Sequence, residues 1–172
     1  MLYFSKTRDV KSPTRANQND AGIDFFVPYF SPEFIDDLKK LNTTLEVKES
    51  SIILRPHERA LIPTGIHVNL EATKRHTNWV GIMMTAHNKS GIGTKRGLDR
   101  LAEVVDEGYQ GEVHISVVNT SNDIQEISSG DKLIQFVLEE VSYLQPKEIR
   151  FSELYDSKSS RGDGGFGHTD KK

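Results

Sequence analysis

The stretch V-H-I-S-V-V-N at residues 113–119 decides the class of fold. Its apolar side chains at positions 113, 115 and 117 alternate with polar neighbours, which is the two-residue period of a β-strand with one buried face. The runs 59–70 and 79–85 are extended in the same way, and Pro63-Thr64-Gly65 predicts a turn or bulge inside the first of them. The centre of the chain is therefore predicted to be built of short strands.

Strands of this kind recur about every ten residues, separated by turns rich in Gly, Pro and Asn. The segment 52–54 ends at the turn sequence R-P-H-E, residues 55–58. The run L-I-Q-F-V-L at 133–138 is nearly continuous and apolar, which predicts a strand buried on both faces. We therefore predict an all-β fold, either a barrel or a jelly roll.

Composition limits the possible functions of the chain. Its 172 residues are enough for one domain or two very small ones, and 22 basic against 25 acidic residues argue against a broad nucleic-acid or membrane surface. The absence of cysteine excludes disulfides, thiol nucleophiles and Cys-ligated zinc. Only 35% of the residues are hydrophobic, so we expect the chain either to keep a small core or to bury extra surface against copies of itself. With no apolar signal segment, we expect an intracellular, cytoplasmic protein that is not secreted.

One segment has helical rather than strand periodicity. S-P-E-F-I-D-D-L-K-K-L at 31–41 begins with a Ser cap and a Pro, and its acidic residues precede its lysines, as the helix dipole favours. Phe34, Leu38 and Leu41, with Ile35, form one apolar stripe. We predict a short amphipathic helix, either a surface insertion packed on the β domain or a helix that docks a partner.

Two stretches suit the phosphates and the sugar of a nucleotide. Lys89-Ser90-Gly91 offers an ammonium group, a hydroxyl and an open backbone N–H to an anion, although an ordinary turn is the alternative. V-V-D-E-G-Y-Q-G at 104–111 predicts a hairpin in which Asp106 orients and deprotonates a water and the Tyr109 ring packs on a sugar. A capped turn with Tyr109 as edge packing is the alternative reading of that hairpin.

Two further stretches complete the candidate site. Gln135 is polar within an apolar strand, so it is expected to have a hydrogen-bond partner, whether in the core or in a site. The stretch 159–169 contains four glycines, with Arg161 suited to phosphate and Phe166 suited to stacking on a base. We expect a flexible arm that orders on a ligand, with a tail of no function as the alternative.

Together with A-G-I-D-F at 21–25, these stretches resemble the five ordered motifs of the trimeric dUTP diphosphatases (dUTPases). The motifs read AGIDF at 21–25, KSG at 89–91, VDEGYQG at 105–111, GDKLIQF at 130–136 and RGDGGFG at 161–167. SPTR at 12–15 and IPTG at 62–65 also match, so the resemblance spans most of the chain. Only residues 28–50, approximately, look like an addition to the family pattern.

The resemblance implies a distorted jelly-roll-like β barrel over residues 1–158 and a flexible Gly-rich arm, 159–172, that closes the active site. It implies a homotrimer with three sites at subunit interfaces. The implied reaction is Mg²⁺-dependent hydrolysis of dUTP to dUMP and pyrophosphate, which keeps uracil out of DNA and supplies dUMP for dTMP synthesis. It implies no direct nucleic-acid or membrane partner, and the 28–50 addition is a candidate contact for a protein partner.

The resemblance also assigns roles to individual residues. Asp106 matches the acid that activates the attacking water, and Tyr109 matches the ring that excludes a 2′-hydroxyl. Asp24 matches a supporting polar position and a possible Mg²⁺ contact through water. The remaining matches fall into three groups: Glu103, Val104, Val105 and His114 around uracil; Lys89, Ser90, Gly91 and Gln135 near the phosphates; and Arg161, Phe166, Gly167, His168 and Thr169 of the arm over the base and phosphates.

Three positions depart from the family pattern. The family usually has Arg at Lys89, Gly at Glu103 and Ser at His168, so phosphate positioning, hairpin geometry and the end of the arm are each altered. Two alternatives to the dUTPase function follow. One is a non-catalytic nucleotide-sensing or protein-binding trimer of the same fold. The other is a dCTP deaminase, which would need a Glu where this chain has Ser116.

Overall fold

The computed structural model describes residues 1–71, 80–160 and 162, and these residues are mostly β. Their strands are short, and every strand pair is antiparallel. The strands are β1 Tyr3–Lys6, β2 Ile23–Asp24, β3 Glu46–Val47, β4 Ser51–Leu54, β5 Arg59–Pro63, β6 Ile66–Asn69, β7 Val80–Asn88, β8 Leu98–Arg100, β9 Val104–Val105, β10 His114–Asn119, β11 Gln125–Ser128 and β12 Ile134–Ser142.

The strands form four small sheets around one apolar core. Their strand orders are β2-β12-β7-β9, β5-β10-β8, β11-β4-β3 and β1-β6. The largest fully buried side chains come from all parts of the described chain, and they include Phe25, Phe34, Leu54, Ile62, Met84, Ile115 and Phe136. No helix of the described residues is both long enough and apolar enough to cross a membrane.

The alternation that predicted the central strand is confirmed in β10. Val113, Ile115 and Val117 are buried, and the polar residues between them are half-buried. The turn predicted within 59–70 is also confirmed, because β5 ends at Pro63 and β6 begins at Ile66. Gly65 has φ +71 in this turn, a left-handed conformation that favours glycine. The strand predicted over 79–85 is observed as β7, with Trp79 outside the described residues.

The helix predicted at 31–41 is confirmed as α1, Pro32–Leu41, with Ser31 as its N-cap. The Ser31 hydroxyl accepts a hydrogen bond from the Phe34 amide at 3.2 Å, and the helix packs against β5 and β3. The predicted stripe is wrong at Leu41, which is 44% exposed. The helix ends there, and the next residue, Asn42, turns inward and donates to the Leu61 carbonyl at 2.8 Å, so Asn42 takes the buried position.

Two strand predictions need correction. The run 133–138 is not buried on both faces, because Gln135 and Val137 are only half-buried in β12 and Gln135 lines an open cleft. The predicted hairpin at 104–111 is also wrong as a strand pairing. Val104–Val105 pairs with β7, whereas β10 pairs with β5 and β8. The chain from 106 to 113 is therefore a loop that opens around a cavity rather than the end of a two-stranded ribbon.

Candidate functional site

A cavity of about 190 Å³ lies between the β9 segment and the start of β10. Six of the side chains or backbone positions predicted from the sequence lie along it, so the fold brings them together although the predicted hairpin pairing was wrong. The cavity is lined by Ala102, Glu103, Val104, Val105, Asp106, Tyr109, Glu112, Val113, His114 and Phe136.

Asp106 stands at the end of β9, at the edge of this cavity. Its backbone carbonyl accepts a hydrogen bond from the Tyr109 amide at 3.0 Å, which closes the predicted turn. Its side chain is exposed, and within the described residues its carboxylate makes no hydrogen bond or ion pair. Both carboxylate oxygens are therefore available to a water or a ligand, which is what a group that orients a nucleophilic water requires.

Tyr109 and His114 are both held by the same backbone carbonyl. The Tyr109 hydroxyl donates to the Glu112 carbonyl oxygen at 2.9 Å, and His114 Nδ1 lies 2.8 Å from the same atom. Because a carbonyl only accepts, His114 Nδ1 carries the hydrogen. A Cβ on Gly111 would lie 2.3 Å from the Tyr109 hydroxyl, so glycine at 111 is what allows this ring position.

Glu112 is a site residue that the sequence analysis missed. Its carboxylate accepts from the Arg8 guanidinium, at 2.9 Å from Nε, and from the Gly65 amide. Burial alone would raise the pKa of the Glu112 carboxyl, but the Arg8 and Gly65 hydrogen bonds outweigh burial and hold this pKa below its usual range. No local pattern signals this role, because Arg8 is 104 positions away in the sequence.

Glu103 contributes its backbone rather than its side chain. Its carbonyl accepts from the Ala86 amide at 2.7 Å, which fixes the approach to β9 beside β7. Its carboxylate turns away to the Arg100 guanidinium at 2.9 Å and is half exposed. The side chain that stands in place of the family's usual glycine is therefore accommodated by an ion pair outside the backbone turn.

A second cluster surrounds the buried carboxylate of Asp24, beside a cavity of about 290 Å³. Asp24 is 3% exposed and accepts from both Lys89 Nζ and Lys132 Nζ, the latter at 2.8 Å. Burial alone would raise the pKa of Asp24, but Lys132 and Lys89 lower it below its usual value. The cavity is lined by Lys89, Ser90, Gly91, Ile92, Lys132 and Gln135.

This cluster is open to an anion. Lys132 is 46% exposed, and a Cβ built on Gly91 would meet nothing within 4 Å among the described atoms. Two ammonium groups against one carboxylate leave a net positive charge beside the Ser90 hydroxyl, which is the chemistry of a phosphate site. Lys132 was missed in the sequence, although it lies inside the quoted stretch 130–136. No local pattern marks Lys132, because its partner Asp24 lies 108 positions away in the sequence.

Gln135 has the partner that its polarity predicted. Its Nε2 donates to the Asn88 carbonyl at 3.2 Å, directly before Lys89. The same side chain packs against Gly22, where an added Cβ would lie 2.1 Å from Gln135 Oε1. The glycine of the A-G-I-D stretch therefore makes room for Gln135 beside the lysine cluster.

The two clusters do not meet within one chain. Gln135 lines the lysine cluster and Phe136 lines the Asp106 cavity, and consecutive residues of a strand point to opposite faces of its sheet. The two cavities share no lining residue. The predicted arm residues Arg161, Phe166, Gly167, His168 and Thr169 lie outside the residues that the structure describes.

Asp24 was predicted as a possible metal contact. In the structure both of its oxygens accept from lysines. Across residues 1–71 and 80–160, no group of three or more acidic or histidine side chains is arranged to hold a metal ion. The described side chains therefore do not form a protein cage for Mg²⁺, and an ion that binds here would take most of its ligands from phosphate oxygens and water.

Fold and site together define a small all-β protein. The Asp106 cavity lies on one face of a sheet and the lysine cluster, which is open to an anion, lies on the other. The family model described as dUTPase matches residues 45–170, which is most of the chain. The chain belongs to the dUTPase family.

Similar proteins give the same picture. The deoxyuridine 5'-triphosphate nucleotidohydrolase of Finegoldia magna is 37% identical over 123 residues, which cover 70% of this chain and 78% of that protein. A mutant dUTPase of Staphylococcus bacteriophage 80alpha with dUpNHpp aligns over 98% of both chains with TM-score 0.65 and 19% identity. A mutant dUTPase of S. aureus phage phi11, described with a structural Mg(II) ion, aligns over 90% of this chain and 98% of its own, with TM-score 0.60 and 20% identity. These alignments confirm the predicted all-β, jelly-roll-like fold.

Proposed function

We propose that this protein hydrolyses dUTP to dUMP and pyrophosphate, and that Asp106 orients and deprotonates the attacking water. The observation that carries the proposal is the Asp106 carboxylate, which stands unpaired among the described residues at the edge of the cavity. The water oxygen forms a bond to the α-phosphorus as the bond from that phosphorus to the bridging oxygen breaks. Asp106 takes the proton of the water, and pyrophosphate leaves.

The cavity beside Asp106 takes the base and the sugar. It is large enough for one nucleobase, and residues 103–106 and His114 line it. The Tyr109 ring, fixed through its hydroxyl, lies against the deoxyribose and leaves no space for a 2′-hydroxyl. This arrangement supports selection of dUTP over UTP by shape.

The lysine cluster takes the phosphates. Lys89 lacks the planar fork of the arginine that the family usually has, so alone it would position a phosphate less firmly. Lys132 shares the same buried carboxylate and adds a second ammonium group 2.8 Å from Asp24. We propose that this second charge offsets the change at Lys89, with Ser90, Gly91 and Gln135 completing the phosphate contacts.

The complete site lies between copies of the chain, in a homotrimer. The Asp106 cavity and the lysine cluster occupy opposite faces of the β12 sheet and share no lining residue, which supports a site assembled from two copies. The lysine cluster of one copy would face the Asp106 cavity of the next. The residues Arg161, Phe166, Gly167, His168 and Thr169 belong to an arm, 159–172, that extends from domain 1–158 to cover the base and phosphates. The insertion at 28–50, which carries α1, remains a candidate contact for a protein partner.

Mg²⁺ is the proposed cofactor. Bound to the triphosphate, it supplies positive charge that neutralises the phosphate oxygens as the leaving group departs. Lys89, Lys132 and Ser90 would hold the same phosphates from the protein side. Asp106, whose exposed carboxylate lines the cavity, is the group proposed to contact a water in the ion's shell.

A substrate panel tests the function directly. Pyrophosphate release with Mg²⁺ is measured for dUTP, UTP, dCTP and dTTP, and we expect turnover of dUTP with the other three far slower. Asp106→Asn is expected to lose about 10²- to 10⁴-fold in kcat and to keep nucleotide binding. Asp36→Asn, an exposed aspartate on α1, is the matched control and should turn over normally.

The same panel separates the alternatives. Tight dUTP binding without turnover by the unaltered protein would contradict hydrolysis and favour a nucleotide-sensing trimer. Ammonia release from dCTP would favour a deaminase. Equal turnover of UTP and dUTP would remove the role given to Tyr109.

A further inference from the structure

Arg8 ties three parts of the chain together beside the Asp106 cavity. It lies two residues after β1, and its side chain is 16% exposed. Its Nε and Nη2 donate to the two oxygens of the Glu112 carboxylate at 2.9 and 3.2 Å. Nη2 also donates to Asp37 of α1 at 2.9 Å, and the guanidinium lies 5.6 Å from the centre of the Phe34 ring.

The backbone carbonyl of Glu112 holds two side chains of the cavity wall. Its carboxylate is fixed by Arg8 and by the Gly65 amide, and its backbone carbonyl accepts from Tyr109 and from His114. A chain of contacts therefore runs from the helix through Arg8 to the two side chains that face the base and the sugar. Every contact between residues in it is a hydrogen bond or an ion pair, and the covalent frame of Glu112 joins them.

We propose that Arg8 is a positioning residue that couples α1 to the substrate cavity, and that through Glu112 it sets how strictly the Tyr109 wall rejects a 2′-hydroxyl. The inference rests on the proposed function for its substrate, but the contacts themselves do not depend on it. The helix is therefore more than a surface addition. Its Asp37 binds Arg8, and Arg8 fixes Glu112 in the cavity wall.

The chemistry of arginine explains why Arg8 can bind Glu112 and Asp37 at the same time. A planar guanidinium can bind both oxygens of one carboxylate and still donate to a second carboxylate, which an ammonium group does less well. The path of the side chain is also constrained, because its Cβ would lie 2.6 Å from a Cβ on Gly65. Glycine at 65 and arginine at 8 therefore fit one another.

Full-length Arg8→Lys and Glu112→Gln variants test the coupling. We measure kcat/KM for dUTP and for UTP, the melting temperature and the oligomeric state. In both variants the ratio of kcat/KM for dUTP to kcat/KM for UTP is expected to fall by about tenfold. The control is Arg55→Lys, whose exposed partner Glu46 lies away from the cavity, and its ratio should not change. A lower melting temperature with an unchanged ratio would overturn the proposal, because Arg8 would then be only a structural tie.

Two additions keep the test decisive. Asp37→Asn replaces the other two variants if they do not fold, because Asp37 is 30% exposed and its substitution leaves the Arg8–Glu112 pair in place. It should lower the dUTP-to-UTP ratio in the same direction, by about threefold. Side-chain ¹⁵N NMR of His114 reports the Nδ1–H bond without any turnover. We expect its signal to move in Arg8→Lys and to stay in place in Arg55→Lys, and an unmoved signal in both would contradict the coupling. Absence of dUTP turnover in the unaltered protein would overturn the proposed function, and the NMR result would still decide the coupling.

Discussion

Asp24 is the only charged side chain among the buried residues that the structure describes. A buried carboxylate is costly unless it is paired and hydrogen-bonded, and Lys89 and Lys132 supply both kinds of contact. The carboxylate also holds the two ammonium groups of the lysine cluster close together, although their charges repel. One residue thus links the stability of the fold to the proposed phosphate site.

Asp24→Asn should lower the free energy of unfolding by about 1–3 kcal/mol at pH 7. The pKa of Asp24 is lowered in the folded protein, so its contribution is present above the ordinary carboxyl pKa of 3.8 and is lost as the pH falls below that value. Chemical denaturation of both proteins at pH 7 and near pH 3 measures this, and the difference between them should shrink at the lower pH. Asp36→Asn is the exposed control. A difference that is equal at both pH values would contradict the pairing.

Gly22→Ala should damage phosphate binding more than stability. The new Cβ would lie 2.1 Å from Gln135 Oε1, so the Gln135 side chain must move and its bond to the Asn88 carbonyl is lost. We expect KM for dUTP to rise by about tenfold, with a smaller change in melting temperature. Gly93→Ala is the matched control, since its nearest contact would be an ordinary 3.8 Å. Equal effects of the two substitutions would count against the role of Gln135.

Residues that act through distant partners were the ones the sequence did not reveal. Asp106, Tyr109 and Lys89 were predicted because each stands in a short motif with its own chemistry. Lys132 and Arg8 were not, because their carboxylate partners lie 108 and 104 positions away in the chain. Such pairs are fixed by the folded sheet and leave no local pattern.

At the scale of the elements, local signals succeeded and pairing signals failed. The Ser cap, the proline and the charge order of 31–41 act within one helix, and α1 begins where they predict. The strand 104–105 was assigned to the wrong partner because a turn sequence specifies a reversal, whereas the neighbouring edge of β7 decides the pairing. The burial predicted for Gln135 was wrong for a similar reason. The sequence shows a hydrophobic run but does not show which face of the sheet stays open.

Ser31→Ala should destabilise the protein by about 1 kcal/mol. The substitution removes the hydroxyl that accepts from the Phe34 amide and leaves that N–H without its cap. Ser31→Asp keeps a cap oxygen at the helix N-terminus and is expected to restore stability. Urea denaturation of the three proteins measures the change. If Ser31→Asp is no more stable than Ser31→Ala, the cap is not what begins this helix.

At the scale of the whole molecule, the segment that follows β12 exposes several large apolar side chains. Between 143 and 155, large hydrophobic side chains are exposed, up to 75% for Leu144 and 81% for Phe151. Several large apolar side chains exposed in one segment are typical of an interface. The low hydrophobic content of the sequence, this exposed segment and the proposed division of the active site between copies all agree with burial against further copies of the chain.

The central claim is that each active site combines the Asp106 cavity of one copy with the lysine cluster of another. The most direct measurement is complementation between two inactive variants, Asp106→Asn and the double variant Lys89→Gln with Lys132→Gln, unfolded together in equal amounts and refolded. We predict that about a quarter of the sites regain both intact halves and that dUTP turnover returns to that extent, whereas each variant refolded alone stays inactive. Mixed trimers that form and remain inactive would show that both halves must come from one chain, and the account would be wrong.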